Sequence, residues 1–307
     1  MPEFEGTGGP WIPANFLALP AVQSSLERSR VVILPVPYDS TTSFRSGARY
    51  GPHAIIDASY GLEDYDWELD LDVSEIGIHT TPFLEPHLGN PGLMVDRIKE
   101  AVTGYIHAGK IVGVLGGEHS VTIGSVQAQR EAHPDLSVLY LDAHADLRNE
   151  YLGTAWGHAS GARRIHELCP LVLVGVRSLC PEERDYLRTS GVPTYFWPPP
   201  GGVAADGAYF QEIVDRLKGP VYVSIDLDVL DPGIMPAVGT PEPGGMSWHD
   251  ITGLLYLVGQ SRRIVGFDVS ELAPEEGPAA CAYTAAKLVY KLISFSTMLE
   301  GGNGSRK

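Results

Sequence analysis

Long apolar runs and cysteine are both scarce in this sequence. No run of about 18 apolar residues occurs among its 307 residues, so a membrane-spanning helix is not expected. The three cysteines are odd in number and lack CxxC spacing, which argues against a disulfide framework and against a thiolate metal site. The N-terminus also lacks the basic and apolar regions of a signal peptide. These absences predict a protein of the reducing cytoplasm.

Positively charged residues are also few in this sequence. Lysine and arginine number 22 against 38 acidic residues, which gives a net charge of -16 at pH 7. Phosphate backbones and anionic lipids would be repelled, so we expect neither nucleic acid nor a membrane as the main partner. The same acidity suits a small cationic ligand, although acidic surfaces also serve solubility.

Short apolar strands alternate with helical stretches, a pattern typical of an α/β fold with helices on both faces of a parallel sheet. Strands are predicted at 30–36, 111–115, 137–142, 171–176, 220–226 and 263–269. Helices are predicted near 93–109, 120–132, 158–168, 206–218, 247–260 and 279–296. The Gly/Pro clusters bring no lasting change in composition. We therefore expect one domain over 1–307, with an N-terminal extension over about 1–25 and a disordered tail at 300–307.

Two carboxylate-rich segments follow predicted strands: LDAHADLR at 141–148 and SIDLDVLDP at 224–232. Alternate side chains of a strand point to the same face, which predicts two rows of polar groups. The first row would hold Asp142, His144 and Asp146, and the second Asp226 and Asp228.

Carboxylates in these rows would repel one another if the rows met. Four carboxylates roughly 6 Å apart would cost on the order of 15–20 kcal/mol at an effective dielectric constant near 20. A domain is stable by only about 5–15 kcal/mol. Divalent cations would remove the repulsion and satisfy the acceptors, so the rows predict a metal site. The alternative is that the two segments are unrelated strand ends whose acids cap turns or lie in solvent.

Other polar residues fall at the carboxyl ends of predicted strands, where open α/β sheets bind ligands. GGEHS at 116–120 follows one strand and Glu271 another. Taken alone, His119 would be a capping or core histidine. Together with the two rows, His119 completes a ligand set of two imidazoles and four carboxylates. Such a set is enough for two metal ions about 3.5–4 Å apart. Oxygen-rich ligands without cysteine favour Mn(II), with zinc or iron left open.

The motifs GGEHS, DAHAD and SIDLDVLDP, in this order, resemble the signatures of the ureohydrolase family of arginases and agmatinases. The resemblance extends over about 30–296. It implies a three-layer α/β/α sandwich with a central, mostly parallel sheet, and a centre of two Mn²⁺ ions per subunit. It also implies hydrolysis of a guanidino group to urea and an amine by a metal-bridging hydroxide, in a homo-oligomer that is a trimer or hexamer.

The resemblance further implies the ligands of each metal ion. His119, Asp142, Asp146 and Asp226 would hold one manganese and His144 and Asp228 the other, with Asp142 and Asp226 bridging both. Asp146 would also accept a hydrogen bond from the hydroxide and pass on a proton. Asp231 stands at an odd offset in the third motif, so we expect it to support the turn before Pro232 and not to bind metal.

Three residues outside the metal set match family positions. His158 occupies the position of a proton-shuttling histidine, the alternative being a helix cap or an exposed loop histidine. Glu271 matches the glutamate that pairs with the substrate guanidinium, whose planar fork a carboxylate can bind bidentately. Thr240 resembles a further active-site contact, and a hydroxyl that stabilises a turn explains it equally well.

The loop that follows DAHAD resembles that of prokaryotic agmatinases, which implies hydrolysis of agmatine to putrescine and urea in polyamine biosynthesis. Arginase, guanidino-acid or aminopropylagmatine activity is the alternative, and a non-catalytic metal-binding homologue is a third. Glu150 or Glu242 would attract the ammonium of agmatine, unless both are solvated loop acids. The positive charge of Arg148 would repel a dicationic substrate unless Arg148 pairs with an acid or turns outward.

Overall fold

The structure is a computed structural model that describes residues 12–202 and 205–299. The tail predicted to be disordered, 300–307, lies outside these residues, as does the first part of the extension predicted over 1–25. The described part of that extension packs on the domain. Phe16 is buried there, and its N–H donates a hydrogen bond to Oγ1 of Thr80 at 2.9 Å.

Within the described residues the strands form an eight-stranded sheet and a separate two-stranded hairpin. The strands are β1 Val31–Val36, β2 Tyr65–Asp66, β3 Leu71–Asp72, β4 Ile78–Thr80, β5 Ile111–Gly116, β6 Ser137–Leu141, β7 Leu171–Val176, β8 Thr194–Phe196, β9 Val221–Asp226 and β10 Ile264–Ser270. The order across the large sheet is β4-β1-β5-β10-β9-β6-β7-β8, and each neighbouring pair is parallel. The hairpin pairs β2 with β3.

The helices lie in two layers, one on each face of the sheet. They are α1 Ala21–Ser24, α2 Gly51–Ser59, α3 Pro91–His107, α4 Val121–Ala132, α5 Gly161–His166, α6 Pro181–Ser190, α7 Gly207–Arg216, α8 Trp248–Ser261 and α9 Ala280–Thr297. The core on one face is formed with α2, α7, α8 and α9, and the core on the other with α3, α4 and α5. The three-layer α/β/α sandwich is therefore confirmed.

Strand β9 illustrates why these segments form central strands. Val221, Val223 and Ile225 pack against the first helical layer, and Tyr222 packs against the second. Every residue of β9 is buried. A strand covered on both faces is mostly apolar, and each large apolar side chain contributes about 1.5–3 kcal/mol by leaving water.

All six predicted strands are present within one residue of their predicted ends. Helix α8 begins with a capping box, in which Asp250 N–H donates to Ser247 Oγ and Ser247 N–H donates to Asp250 Oδ2. Sequence analysis missed β4 and β8, which have three residues each, and helices α2 and α6. Three residues are too few to show a periodicity, and α6 buries only Glu183, so it lacks an apolar stripe.

Strands β5, β10, β9 and β6 are neighbours at the centre of the sheet. Their carboxyl ends therefore meet along one edge, and the segments with the predicted site residues leave the sheet there. Among the helices that the structure describes, none combines the length and apolar character needed to cross a bilayer.

Candidate metal centre

The two acidic rows are formed by turns and not by strands. Strand β6 ends one residue before Asp142, whose Oδ1 accepts the N–H of His144 at 2.6 Å. Asp226 is the last residue of β9, and its Oδ1 accepts the N–H of Asp228 at 2.8 Å. Asp146 has a φ of 51°, in the left-handed region. The prediction that strand alternation aligns these groups is therefore wrong: tight turns beyond the strands bring the side chains together.

All six predicted ligand residues nevertheless lie in one cluster. The ligand atoms of His119, Asp142 and Asp146 lie within 4.8 Å of one another, as do those of Asp142, His144 and Asp228. Nδ1 of His119 is 2.9 Å from Asp142 Oδ2 and 3.4 Å from Asp226 Oδ2. Nδ1 of His144 is 2.9 Å from Asp228 Oδ2. Asp142 belongs to both groups, as a bridging ligand must.

Burial makes this cluster unfavourable without a counter-charge. Burial and the neighbouring Asp142 raise the pKa of Asp146 well above its usual value. Burial and the neighbouring Asp228 do the same to the pKa of Asp226. Burial alone would lower the pKa of His144, but Asp228 and Asp142 together outweigh it and raise that pKa to about 12. Carboxylates that are buried without a counter-charge have raised pKa values, and bound cations would supply that counter-charge. A set of four carboxylates and two imidazoles fits a pair of divalent cations such as Mn²⁺.

Buried polar groups orient His119 within the cluster. Ser224 Oγ donates to Asp268 Oδ1 at 3.0 Å, so its lone pair accepts the Nε2–H of His119 at 2.8 Å. Nδ1 then faces the carboxylates as a free ligand atom, the arrangement usual for metal-binding histidines. Tyr140 stacks on the His119 ring with centroids 4.4 Å apart and donates to Asp146 Oδ2 at 2.9 Å. These supports were not predicted, although a polar residue inside an apolar strand is a visible signal.

Arg177 holds the chain around Asp228, and it too was missed. Its guanidinium donates to the carbonyl oxygens of Asp228 at 2.6 Å and Glu242 at 2.8 Å. The carbonyls of Gly175, Val229 and Leu230 lie within 3.4 Å. Five N–H donors in a rigid fork suit this clustering of carbonyls. Asp231 supports the same region, because its carboxylate accepts the N–H groups of Gly233, Gly244 and Gly245.

Glu271 lies beside the metal cluster in a strained backbone conformation. Its φ is 71°, a region that non-glycine residues rarely adopt except where the surroundings enforce it, often at functional sites. Its N–H donates to the carbonyl of Gly117 at 2.7 Å. A Cβ on Gly117 would lie 2.1 Å from the Tyr38 carbonyl, so close backbone approach requires the glycine there. Burial and the neighbouring Glu118 raise the pKa of Glu271 well above its usual value.

His158 lies at the wall of a cavity above the cluster and is held on both ring nitrogens. Nδ1 is 3.3 Å from Thr41 Oγ1, and Nε2 is 3.2 Å from Ser43 Oγ. Burial, with a smaller effect of His144, lowers the pKa of His158 to about 4, so the ring is neutral at pH 7. His158 begins a short 3₁₀ turn, and Gly157 occupies the capping position.

The cavity measures about 270 Å³ and is lined by His119, His144, Asp146, His158, Thr240 and Glu271 among others. Thr240 Oγ1 lies 3.4 Å from Asp228 Oδ2. Glu183, which was not predicted, also faces the cavity; it is buried and accepts the N–H groups of Leu147 and Cys180. A carboxylate that joins two segments far apart in the chain has no local sequence signal.

The residues considered for recognition of the substrate tail take different positions. Glu150 is exposed and Glu242 Oε1 lies 3.9 Å from Nε2 of His144; neither is among the residues that line the cavity. Arg148 does line it, and its guanidinium lies over the ring of Tyr151 at 4.6 Å. Within the described residues no ion pair joins Arg148 to a carboxylate.

Comparisons with known proteins show which family the chain is similar to. A family model described as the arginase family matches residues 29–294. An N(1)-aminopropylagmatine ureohydrolase of Thermus thermophilus is 42% identical over 279 residues, which cover 90% of this chain and 93% of the relative. The agmatinase of Pyrococcus horikoshii is 35% identical over 286 residues, 91% of this chain and 96% of the relative. The solved agmatine ureohydrolase of Thermoplasma volcanium superposes with a TM-score of 0.84 at 27% identity, covering 96% of this chain and 98% of the other.

Proposed function

The chain belongs to the arginase family of enzymes that hydrolyse C–N bonds of guanidino groups, and we propose that it is a manganese-dependent ureohydrolase of the agmatine type. The observation that carries the proposal is the buried cluster of four aspartates and two histidines at the base of a cavity, with Glu271 beside it. The complete ligand set argues against a non-catalytic homologue.

We propose that two manganese ions are held by the residues that the resemblance implied. His119, Asp142, Asp146 and Asp226 would hold the first, and His144, Asp228 and the bridging Asp142 and Asp226 the second. When bound, two divalent cations lower the pKa of water enough to supply hydroxide near neutral pH.

The protein's own groups then bind and orient the substrate. The Glu271 carboxylate pairs with the planar guanidinium and fixes the carbon over the cluster. Asp146 accepts a proton as the C–O bond forms. Nε2 of the neutral His158 takes up a proton from solvent and passes it to the nitrogen of the departing amine, so that urea and a neutral amine are released. Thr240 acts through Asp228, whose Oδ2 it approaches.

Two aminoalkylguanidines are the leading substrates. The relative at 42% identity favours N(1)-aminopropylagmatine, while the loop after DAHAD favours agmatine. Both carry cationic tails, and Glu183 is a buried carboxylate in the cavity wall that would attract them. We propose that agmatine is a substrate in either case, since its structure is contained within N(1)-aminopropylagmatine.

A guanidino acid is the second candidate, and one observation favours it. Arg148 lines the cavity without a carboxylate partner among the described residues, so its guanidinium is available for an anionic tail. The guanidinium also stacks on the ring of Tyr151, and this cation–π contact weakens its attraction for an anionic tail.

A substrate panel tests the proposal. Urea release is measured with the manganese-loaded protein on agmatine, N(1)-aminopropylagmatine, arginine and 4-guanidinobutyrate. A kcat/KM that is higher for the two amines than for the two acids supports the proposal. Higher values for the acids would replace it with the second candidate, and no urea from any compound, with manganese bound, would refute a ureohydrolase.

We also propose that the whole chain forms one ureohydrolase domain that assembles into a trimer or hexamer in the cytoplasm. Light scattering on the purified protein measures the number of subunits directly. A monomeric mass would contradict the proposed assembly.

A further inference from the structure

The hydroxyl of Thr41 lies between two groups that are far apart in the sequence. Its Oγ1 is 2.5 Å from Oε1 of Glu118, 3.1 Å from the backbone nitrogen of His158 and 3.3 Å from Nδ1 of the same histidine. Glu118 is fully buried, and its Oε2 accepts the backbone N–H of Thr41 at 2.6 Å. Ser120 Oγ donates to Oε1 as well. Glu118 thus faces hydrogen-bond donors on both oxygens.

The proton of Thr41 can take only one direction. A hydroxyl has one proton and two lone pairs. Three donors converge on the two Glu118 oxygens, the arrangement of an ionised carboxylate, so the Thr41 proton points to Oε1 and the Thr41 oxygen accepts from the other two neighbours. The backbone N–H of His158 can only donate, which fits. The second acceptor position faces Nδ1, which must therefore carry the ring proton.

We propose that Thr41, anchored by Glu118, is a positioning residue that holds His158 as its Nδ1–H tautomer. Nε2 then carries the lone pair, on the side where Ser43 Oγ approaches within 3.2 Å and the cavity opens. A neutral histidine can exchange a proton at only one nitrogen, and its hydrogen-bond partner on the other nitrogen selects which. The inference rests on the proposed function in one respect: Nε2 of His158 must take up a proton and pass it on during turnover.

Two substitutions separate positioning from structure. Thr41→Val keeps the volume but removes the hydroxyl, whereas Thr41→Ser keeps the hydroxyl. Kinetics use the compound of the panel with the highest kcat/KM. Because a positioned general acid or base contributes about 10²–10⁴-fold, we expect Thr41→Val to lower kcat by about 100-fold or more, with KM and manganese content nearly unchanged. Thr41→Ser should recover kcat to within about threefold.

The tautomer itself is measured by ¹⁵N NMR of histidine-labelled protein loaded with zinc, which is diamagnetic. His158 is assigned by comparison with His158→Gln. We expect the shift of a protonated Nδ1 and an unprotonated Nε2 in the unmodified protein, and loss of that preference in Thr41→Val.

The result that overturns the inference is a protonated Nε2 in the unmodified protein, or equal kcat values for the Val and Ser variants. The NMR measurement needs no turnover. A protein that releases no urea from any compound would refute the proposed function, while its histidine spectrum would still decide the tautomer. If Thr41→Val fails to fold, the NMR spectrum of the unmodified protein and of Thr41→Ser still shows which nitrogen of His158 is protonated.

Discussion

The backbone N–H of His119 donates a hydrogen bond to Oε1 of Glu271 at 2.7 Å, which joins a metal-cluster residue to the proposed guanidinium-binding carboxylate. The bond crosses from the segment after β5 to the segment after β10, which are neighbours in the sheet. One oxygen of Glu271 is thereby fixed, and the carboxylate is held at the wall of the cavity. The same contact thus fixes the proposed guanidinium-binding carboxylate relative to the cluster.

We expect Glu271→Ala to raise KM while manganese content stays close to normal. Loss of one partner of a buried charge pair costs about 2 kcal/mol or more, which is about a thirtyfold rise in KM. Glu271→Gln is the matched control, because its amide oxygen can still accept the His119 N–H but carries no charge. If Glu271→Gln kept the original KM, the charge pairing would be excluded. Steady-state kinetics and metal analysis by mass spectrometry measure both quantities.

Asp226→Asn should abolish turnover because manganese is lost. The amide is neutral and a poorer ligand, and the proposed role of Asp226 is to bridge both ions. Asp231→Asn is the control from the same motif: its side chain binds three backbone N–H groups, so we expect normal manganese and a stability lower by about 1 kcal/mol. Full manganese occupancy in Asp226→Asn, measured after dialysis, would falsify its assignment as a ligand.

Removal of metal should destabilise the protein more at high pH than at low pH. The pKa values of Asp146, Asp226 and Glu271 are raised, so without metal these groups contribute stability as neutral acids below about pH 4, and it is lost as pH rises through the raised values. Metal binding instead requires the ionised form and strengthens with pH.

The gap in Tm between manganese-loaded and chelator-treated protein should therefore widen from pH 5 to pH 8. At a thousandfold excess of metal over its Kd the stabilisation is about 4 kcal/mol, or roughly 8 °C for a large domain. The lowered pKa of His158 has the opposite effect, because it favours the folded state above about pH 6.5. It does so in the manganese-loaded and in the chelator-treated protein alike, so it largely cancels in the difference between their Tm values. Scanning calorimetry at four pH values measures the gap, and a gap that narrows toward pH 8 would contradict the prediction.

Arg177→Lys should lower both stability and manganese affinity. Lysine is a point charge and cannot satisfy the backbone carbonyls that the guanidinium fork binds, including that of Asp228. Buried acceptors left unpaired cost about 1–3 kcal/mol, so we expect Tm to fall by roughly 4 °C or more. Arg184→Lys is the control, since its exposed pair with Asp185 contributes little. Equal changes in Tm for the two variants would show that the carbonyl contacts are dispensable.

Local patterns in the sequence predicted the framework well. The six long strands follow from apolar runs of five to seven residues, and the start of α8 follows from Ser247 and Asp250. Interactions over a few residues suffice for such elements. The motifs also supplied the six side chains that the structure brings into one cluster, although the geometric argument for the rows was wrong because Asp142 and Asp226 initiate turns.

The tertiary structure decided what surrounds that cluster. Thr41 is 77 residues from Glu118 and 117 residues from His158, so no spacing in the chain indicates their contact. Arg177 reaches carbonyls more than 50 residues away, and Glu183 joins segments that only the fold brings together. The sequence by itself determined the candidate residues for binding two cations, because their chemical type and order are local properties. Which hydrogen bond orients each of them depends on how parallel strands are ordered in the sheet, and this order is a property of the whole packed chain.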